Sequence, residues 1–244
     1  MNAISIKNLR KEYKDIVAVK DLNLDIKEGE LFSLLGVNGA GKTTTIKMLS
    51  TLTKPTGGNA FVLGHSILNE QDKIKGLIDI STQETAIARK LTVEENITFY
   101  AKISGQNKEE IEETKKYVYK CFDLETVKNK KAYKLSGGWQ RKLSIALALV
   151  SKPKVLFLDE PTLGLDVIAR RELWKAIKML KKDMTIILTT HYMEEAEALS
   201  DRIGIMKDGM LMFVGNKEEL FKKTNKNSVE DAFIEIVTGG NENE

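Results

Sequence analysis

The segment GVNGAGKT, from Gly36 to Thr43, limits what this chain can fold into more than any other stretch. It fits the spacing G-x-x-x-x-G-K-[S/T]. Before it, Glu30 to Leu35 reads as a short apolar strand. After it, Lys42 to Leu52 reads as a helix broken by Pro55, Gly57 and Gly58. A strand, a glycine-rich loop and a helix in that order make a phosphate receptor. The glycines allow backbone angles that turn successive N–H groups toward phosphate oxygens. The helix N-terminus adds roughly half a positive charge. Gly36, Asn38, Gly39, Ala40, Gly41, Lys42, Thr43 and Thr44 are the candidate contacts. Lys42 is placed to reach the β- and γ-phosphates, and the Thr43 hydroxyl to ligate Mg²⁺. By itself the loop says only that a nucleotide binds.

A second apolar strand, Val155 to Leu158, runs into Asp159 and Glu160. Two acids at the end of a buried strand lie at the carboxyl edge of a sheet, where open α/β sheets hold their ligands. Taken alone the pair fits a solvated acidic turn equally well. Beside a phosphate loop it fits a catalytic pair: Asp159 for Mg²⁺, Glu160 to polarise the attacking water.

The rest of the chain supports a layered α/β fold. Ile4 and Ile6, then Leu22, Leu24 and Ile26, alternate with polar residues as strands do, with a turn at Glu28 and Gly29. Further strands are expected at Ala60–Leu63, Leu77–Ser81 and Thr185–Thr189, and a helix at Ala169–Leu180, where Leu173 and Trp174 fit its packed face. The continuous apolar runs suit a parallel sheet covered on both faces. From about residue 85 to 134 strand signals give way to charged helical patterns, as expected of an inserted helical subdomain. IGIMKDGMLMFVG reads as a hairpin turning at Asp208 and Gly209. The polar tail after Lys222 has one amphipathic piece, Val229 to Val237, and the ending GGNENE reads as disordered. His65 reads as a solvated loop residue.

Charge is balanced: 38 Lys and Arg against 35 Asp and Glu, a net +3, which gives no argument for nucleic acid. Cys121 is the only cysteine, so no internal disulfide forms; it reads as a helix-packing residue, and the composition suits a reducing compartment. No run approaches the roughly 18 apolar residues of a membrane helix, and MNAISIKNLRKEY has no signal-peptide character. A membrane role is therefore expected to come through a partner.

LSGGWQRK, beginning at Leu135, supplies another anion receptor. Ser136 reads as an N-cap, and Gly137 and Gly138 free the backbone ahead of a helix whose Trp139, Leu143, Ala146 and Val150 share one face. In isolation this is an ordinary capped helix. A nucleotide is already held by the loop around Lys42, so a second receptor suits a nucleotide on another copy.

Together these segments resemble the ABC ATPase family over nearly the whole chain. GVNGAGKT, LSGG and VLFLDEPT appear in the family's order. The likeness extends to LGLD ending at Asp166, similar to the family's D-loop; to His191 in ILTTHYMEEAE, similar to its switch histidine; to Gln83, similar to its Q-loop glutamine; and to Tyr13, similar to the tyrosine that stacks on adenine, with Val19 further along the same stretch. The resemblance implies a P-loop NTPase (RecA-like) core, an N-terminal antiparallel β subdomain and an inserted α-helical subdomain. On that plan residues 1–222 are the ATPase domain, with core and β subdomain at about 1–84 and 151–222 and helices at about 85–150, and 223–244 are a short extension. Catalysis falls to Glu160, His191 and Lys42; Mg²⁺ to Thr43, Gln83 and Asp159. Two copies, identical or not, meet head to tail, and Ser136 and Gly138 of one cover the ATP of the other, with Asp166 coupling the sites. Trp139, Val167 and Thr82 depart from frequent family residues without removing a catalytic group.

With one cassette and no heptad arm, the chain is least like the DNA-repair and translation-factor branches. LSTLTKPTGG, HYMEEAEALSDRI and EDAFIEIVTG resemble the bacterial drug, sodium and lipid exporter branch. The implied function is an ATP-hydrolysing subunit driving a separate multi-span permease from the cytoplasmic face of the membrane. The rivals are a soluble ABC ATPase acting on nucleic acid or ribosomes, and a non-hydrolysing nucleotide-binding regulator.

Overall fold

The computed structural model describes residues 1–239. Residues 240–244, most of the ending expected to be disordered, lie outside it. In chain order the elements are β1 (Asn2–Tyr13), β2 (Ile16–Lys27), β3 (Leu31–Leu35), α1 (Lys42–Leu49), β4 (Gly57–Val62), β5 (His65–Ser66), α2 (Gln71–Lys75), β6 (Ile78–Ser81), α3 (Val93–Ile103), α4 (Lys108–Phe122), α5 (Gly137–Ala148), β7 (Val155–Asp159), α6 (Val167–Leu180), β8 (Thr185–Thr190), α7 (Met193–Leu199), β9 (Arg202–Lys207), β10 (Met210–Gly215), α8 (Lys217–Thr224) and α9 (Val229–Thr238).

Two sheets organise them. An antiparallel sheet has the order β2-β1-β4-β5, and a six-stranded sheet has the order β10-β9-β3-β8-β7-β6. In the larger sheet β9, β3, β8, β7 and β6 are parallel, and β10 turns back on β9. This is the α/β architecture the sequence implies, a P-loop NTPase core with an antiparallel β subdomain. Side chains alternate across the central strands. Phe32, Phe157 and Ile187 face a core shared with α1 and the antiparallel sheet. Leu156, Leu158, Ile186 and Leu188 face the core built with α3, α4, α5 and α6. A strand with both faces buried has no room for a polar face, which is why β7 and β8 carry the apolar runs VLFL and IIL.

Several expectations need correction. Helix α1 ends at Leu49, because Thr51 takes a left-handed backbone (φ 62°). Gly57 and Gly58 open β4, which starts ahead of the strand expected at Ala60–Leu63. His65 belongs to β5, is half-buried, and has Nδ1 3.3 Å from Glu70 Oε1. The division at residue 222 falls inside α8, and α9 buries Val229, Ala232 and Phe233 against Leu35, Ile203, Ile205 and Leu220. The C-terminal helices therefore belong to the folded core: an amphipathic helix gains stability by burying its apolar stripe.

Candidate active site

Strand register assembles the site. Leu35, the last residue of β3, pairs with Thr190 at the end of β8, Asp159 at the end of β7 pairs with Thr189, and Ser81 at the end of β6 pairs with Leu158. Neighbouring parallel strands ending level with one another bring the segments that follow them, including Gly36–Gly41, Glu160, His191 and Gln83, to one edge.

The loop after β3 is moulded closely to its surroundings. At Gly41 φ is 102°, and a Cβ there would lie 2.4 Å from the Ala18 carbonyl oxygen. At Gly36 a Cβ would lie 2.5 Å from the Met206 carbonyl oxygen. Neither position has space for a side chain. The tip of the β9–β10 hairpin backs the loop: Gly209 N–H donates to Ala40 C=O at 3.1 Å, and Lys20 N–H donates to Gly209 C=O at 2.7 Å. Inside the loop, Lys42 Nζ donates to the carbonyls of Gly36 (2.7 Å) and Val37 (3.1 Å) and lies 3.5 Å from Glu160 Oε1. Burial pushes the Lys42 ammonium below its ordinary pKa, outweighing the upward pull of Glu160 and Asp159.

Asp159 Oδ1 accepts from the hydroxyls of Thr43 (2.9 Å) and Thr189 (2.5 Å). Thr43 and Asp159 are hard oxygen donors side by side. They fit Mg²⁺, which takes one or two protein oxygens and completes its shell with phosphate and water. Glu160 has a left-handed backbone, φ 48°, uncommon for a residue with a side chain. Its N–H donates to both the carbonyl and the hydroxyl of Thr189, each at 3.1 Å. His191 Nδ1 lies 2.9 Å from Glu160 Oε2. The imidazole stacks on Tyr192 at 4.2 Å between centroids, and the Arg170 guanidinium lies 4.4 Å from the centre of that tyrosine ring.

Tyr13, Asn38, Gly39, Ala40, Gly41, Lys42, Thr43, Thr44, Gln83, Glu160 and His191 line one cleft of about 540 Å³. Gly36 and Asp159 are buried beside it. Val19 is fully buried in the core below; Ala18 takes the wall position instead. A separate hollow of about 430 Å³ between Glu113, Tyr117, Lys152 and Asp183 contains none of these groups.

Ser136, Gly138 and Asp166 do not line the cleft. Ser136 holds the N-cap position of α5, but its hydroxyl makes no capping bond and is exposed. Asp166 caps α6, accepting from the N–H groups of Ile168 and Ala169 at 2.9 Å each. The two helix starts adjoin: a Cβ on Gly138 would lie 3.1 Å from Ala169 Cβ.

Sequence reasoning passed over two buried ionisable residues. Arg141 is 4% exposed and bonds to the backbone around Asp159 and Glu160. Its spacing with Ile145 and Ala148, on a buried face of α5, was the available signal. Glu195 is fully buried and accepts from the Trp174 indole N–H at 3.0 Å.

Residues 19–163 match the family model described as ABC transporter. Over 224 residues the chain is 43% identical to the Phospholipid-transporting ATPase ABCA3 of Homo sapiens, which covers 90% of this chain and 13% of that protein. The chain thus spans a small part of the length of such relatives. A solved ATP binding subunit of an ABC transporter superposes with a TM-score of 0.85 at 26% identity, covering 96% of this chain and 99% of that one. An ATP-binding cassette solved as a dimer in a post-hydrolysis state, bound to ADP and Pi, superposes with a TM-score of 0.78 at 30% identity, covering 87% and 98%. From motif order, sheet edge and these likenesses alike, the chain belongs to the ABC transporter family, as an ATP-hydrolysing domain.

Proposed function

We propose that this domain pairs with a second ATPase domain around ATP and drives a separate membrane-spanning permease from the cytoplasmic face of the membrane. One observation carries the chemistry: the Lys42 ammonium, the Glu160 carboxylate and the His191 imidazole meet within 3.5 and 2.9 Å in a single cleft. Tyr13 offers a ring for the adenine. The N–H groups of the loop and Lys42 hold the β- and γ-phosphates. Thr43 and Asp159 hold Mg²⁺, with Gln83 from the end of β6 completing the set. When bound, Mg²⁺ supplies charge neutralisation between the phosphates. Glu160 orients a water and receives its proton as the water oxygen bonds to the γ-phosphorus, while the bond from that phosphorus to the β–γ bridging oxygen breaks and ADP leaves. His191, its Nδ1 turned to Glu160, contacts the γ-phosphate.

Pairing is supported by the exposed tip of α5. Its Ser136 hydroxyl has no capping duty and lies outside the chain's own cleft, beside Asp166 and the start of α6. A head-to-tail mate would use it to close over the triphosphate. The cargo belongs to the permease. Likeness to a protein named for phospholipid transport supports the lipid member of the exporter branch. No helix among the described residues is long and apolar enough to cross a membrane.

Two experiments test this. Affinity purification from membranes is expected to bring down a hydrophobic multi-span protein; ribosomes or DNA in its place would overturn the transport reading. Glu160→Gln is expected to abolish turnover while trapping ATP-bound pairs. A wild-type chain that hydrolyses ATP no faster than this variant would remove the catalytic role of Glu160.

A further inference from the structure

Helix α5 joins an exposed tip to a buried interior, and one side chain crosses from it to the edge of the central sheet. Arg141 Nε donates to Pro161 C=O at 2.7 Å, Nη1 to Thr82 C=O at 2.6 Å, and Nη2 to Glu160 C=O at 2.6 Å and to Asp159 C=O at 3.3 Å. The guanidinium accordingly spends its donors on backbone carbonyls and on no carboxylate. Burial pushes its pKa down, while Asp159, Glu195 and Glu160 oppose that shift from nearby. A buried cation is costly unless its donors are matched, and a planar fork is the one side chain that reaches several carbonyls in fixed directions.

The carbonyls it gathers are those that decide where the chemistry points. Glu160 sits in a left-handed turn, φ 48°. Thr189 holds the N–H side of that residue, and Arg141 holds its C=O side. Thr82, the third anchor, immediately precedes Gln83. Arg141 itself follows Ser136 and Gly138 on the same helix.

We propose that Arg141 is a positioning residue for hydrolysis: it ties α5 to the backbone carrying Glu160 and Gln83, so that the attitude of the Ser136–Gly138 tip and the aim of the carboxylate are set together. The proposal rests on Glu160 acting on the attacking water. The guanidinium touches no reacting atom; it acts through the peptide units it binds.

Arg141→Lys keeps the charge and loses the fork. In the full chain with its membrane partner, this variant is expected to bind ATP within about threefold of wild type and to lose at least about tenfold in kcat, the signature of an interaction that matters in the transition state. Wild-type turnover in Arg141→Lys overturns the proposal. So does a loss of ATP binding in proportion to the loss of kcat, since that marks a merely structural residue. Arg141→Gln repeats the measurements should the lysine variant not fold. If neither variant folds, Arg141 is a folding residue and the proposal fails. A wild-type chain no faster than Glu160→Gln identifies a different failure, that of the role given to Glu160.

Discussion

His191 Nδ1 lies 2.9 Å from Glu160 Oε2, so the two residues that follow the ends of β8 and β7 are already in contact across the sheet edge. The bond fixes the plane of the imidazole, and Tyr192 supports its face. In the proposed reaction the remaining ring nitrogen faces the γ-phosphate. His191→Ala is expected to lower kcat by roughly 10²- to 10³-fold, the scale seen when a preorganised donor is removed from a developing charge. ATP binding changes little. Steady-state ATPase rates and equilibrium titration with ATP separate the two quantities; a normal kcat would show that the imidazole is not needed.

Ser136 and Asp166 hold matching N-cap positions with opposite duties. Asp166 accepts two helix N–H groups, whereas the Ser136 side chain accepts none. Asp166→Ala is therefore expected to cost about 1 kcal/mol of stability, and Ser136→Ala less than about 0.5 kcal/mol. Activity runs the other way for the serine. Loss of a hydrogen bond to a charged phosphate costs about 1.5–3 kcal/mol, so Ser136→Ala lowers ATPase activity by about tenfold or more in the paired protein. Equal thermal destabilisation by both variants would contradict this assignment.

Tyr13 ends β1 at the rim of the cleft, 44% exposed, with Lys11 Nζ 4.8 Å from its ring centre. Base–aromatic stacking is worth about 1–3 kcal/mol. Tyr13→Ala is expected to weaken ATP binding about tenfold or more with kcat unchanged, and Tyr13→Trp to retain it. An alanine variant with normal affinity would show that adenine rests elsewhere.

Glu195 supplies a pH test. Burial raises its pKa from the ordinary 4.5. An acid whose folded pKa lies above its unfolded value stabilises the fold fully below the unfolded value. That contribution is lost as pH rises through the folded one. Glu195→Gln keeps an acceptor for the Trp174 indole and removes the ionisation. Its melting temperature is expected to gain on the wild type as pH rises from about 4.5 toward neutrality. Parallel pH profiles for the two proteins would refute the burial argument.

Local chemistry made much of the fold and cleft readable. The phosphate loop and a covered parallel sheet followed from glycine spacing and apolar runs, whereas the antiparallel β subdomain was implied by the family resemblance. Residues such as Lys42 and Asp159 were legible because loop and strand-end chemistry is local. What stayed hidden depends on partners distant in sequence. Val19 alternates like any strand residue, and only packing shows that Ala18 faces the cleft. Ser136 has the sequence of a cap, yet its hydroxyl does not cap. Arg141 looks like one more surface cation until Thr82 and Pro161 are brought to it. The amphipathic piece at Val229 to Val237 was legible as α9, but not that it covers Leu35 and Ile203.

The turn at Asp208 and Gly209 gives the late part of the chain a hold on the early part. Ala40 and Lys20 are bonded to Gly209, and the Met206 carbonyl presses on Gly36. A truncated chain ending at residue 200 would still contain the entire glycine-rich segment and both acids, yet would lack the Met206 and Gly209 backbone that backs that segment. The shape of the glycine-rich segment is thus set in part by chain that lies far downstream of it.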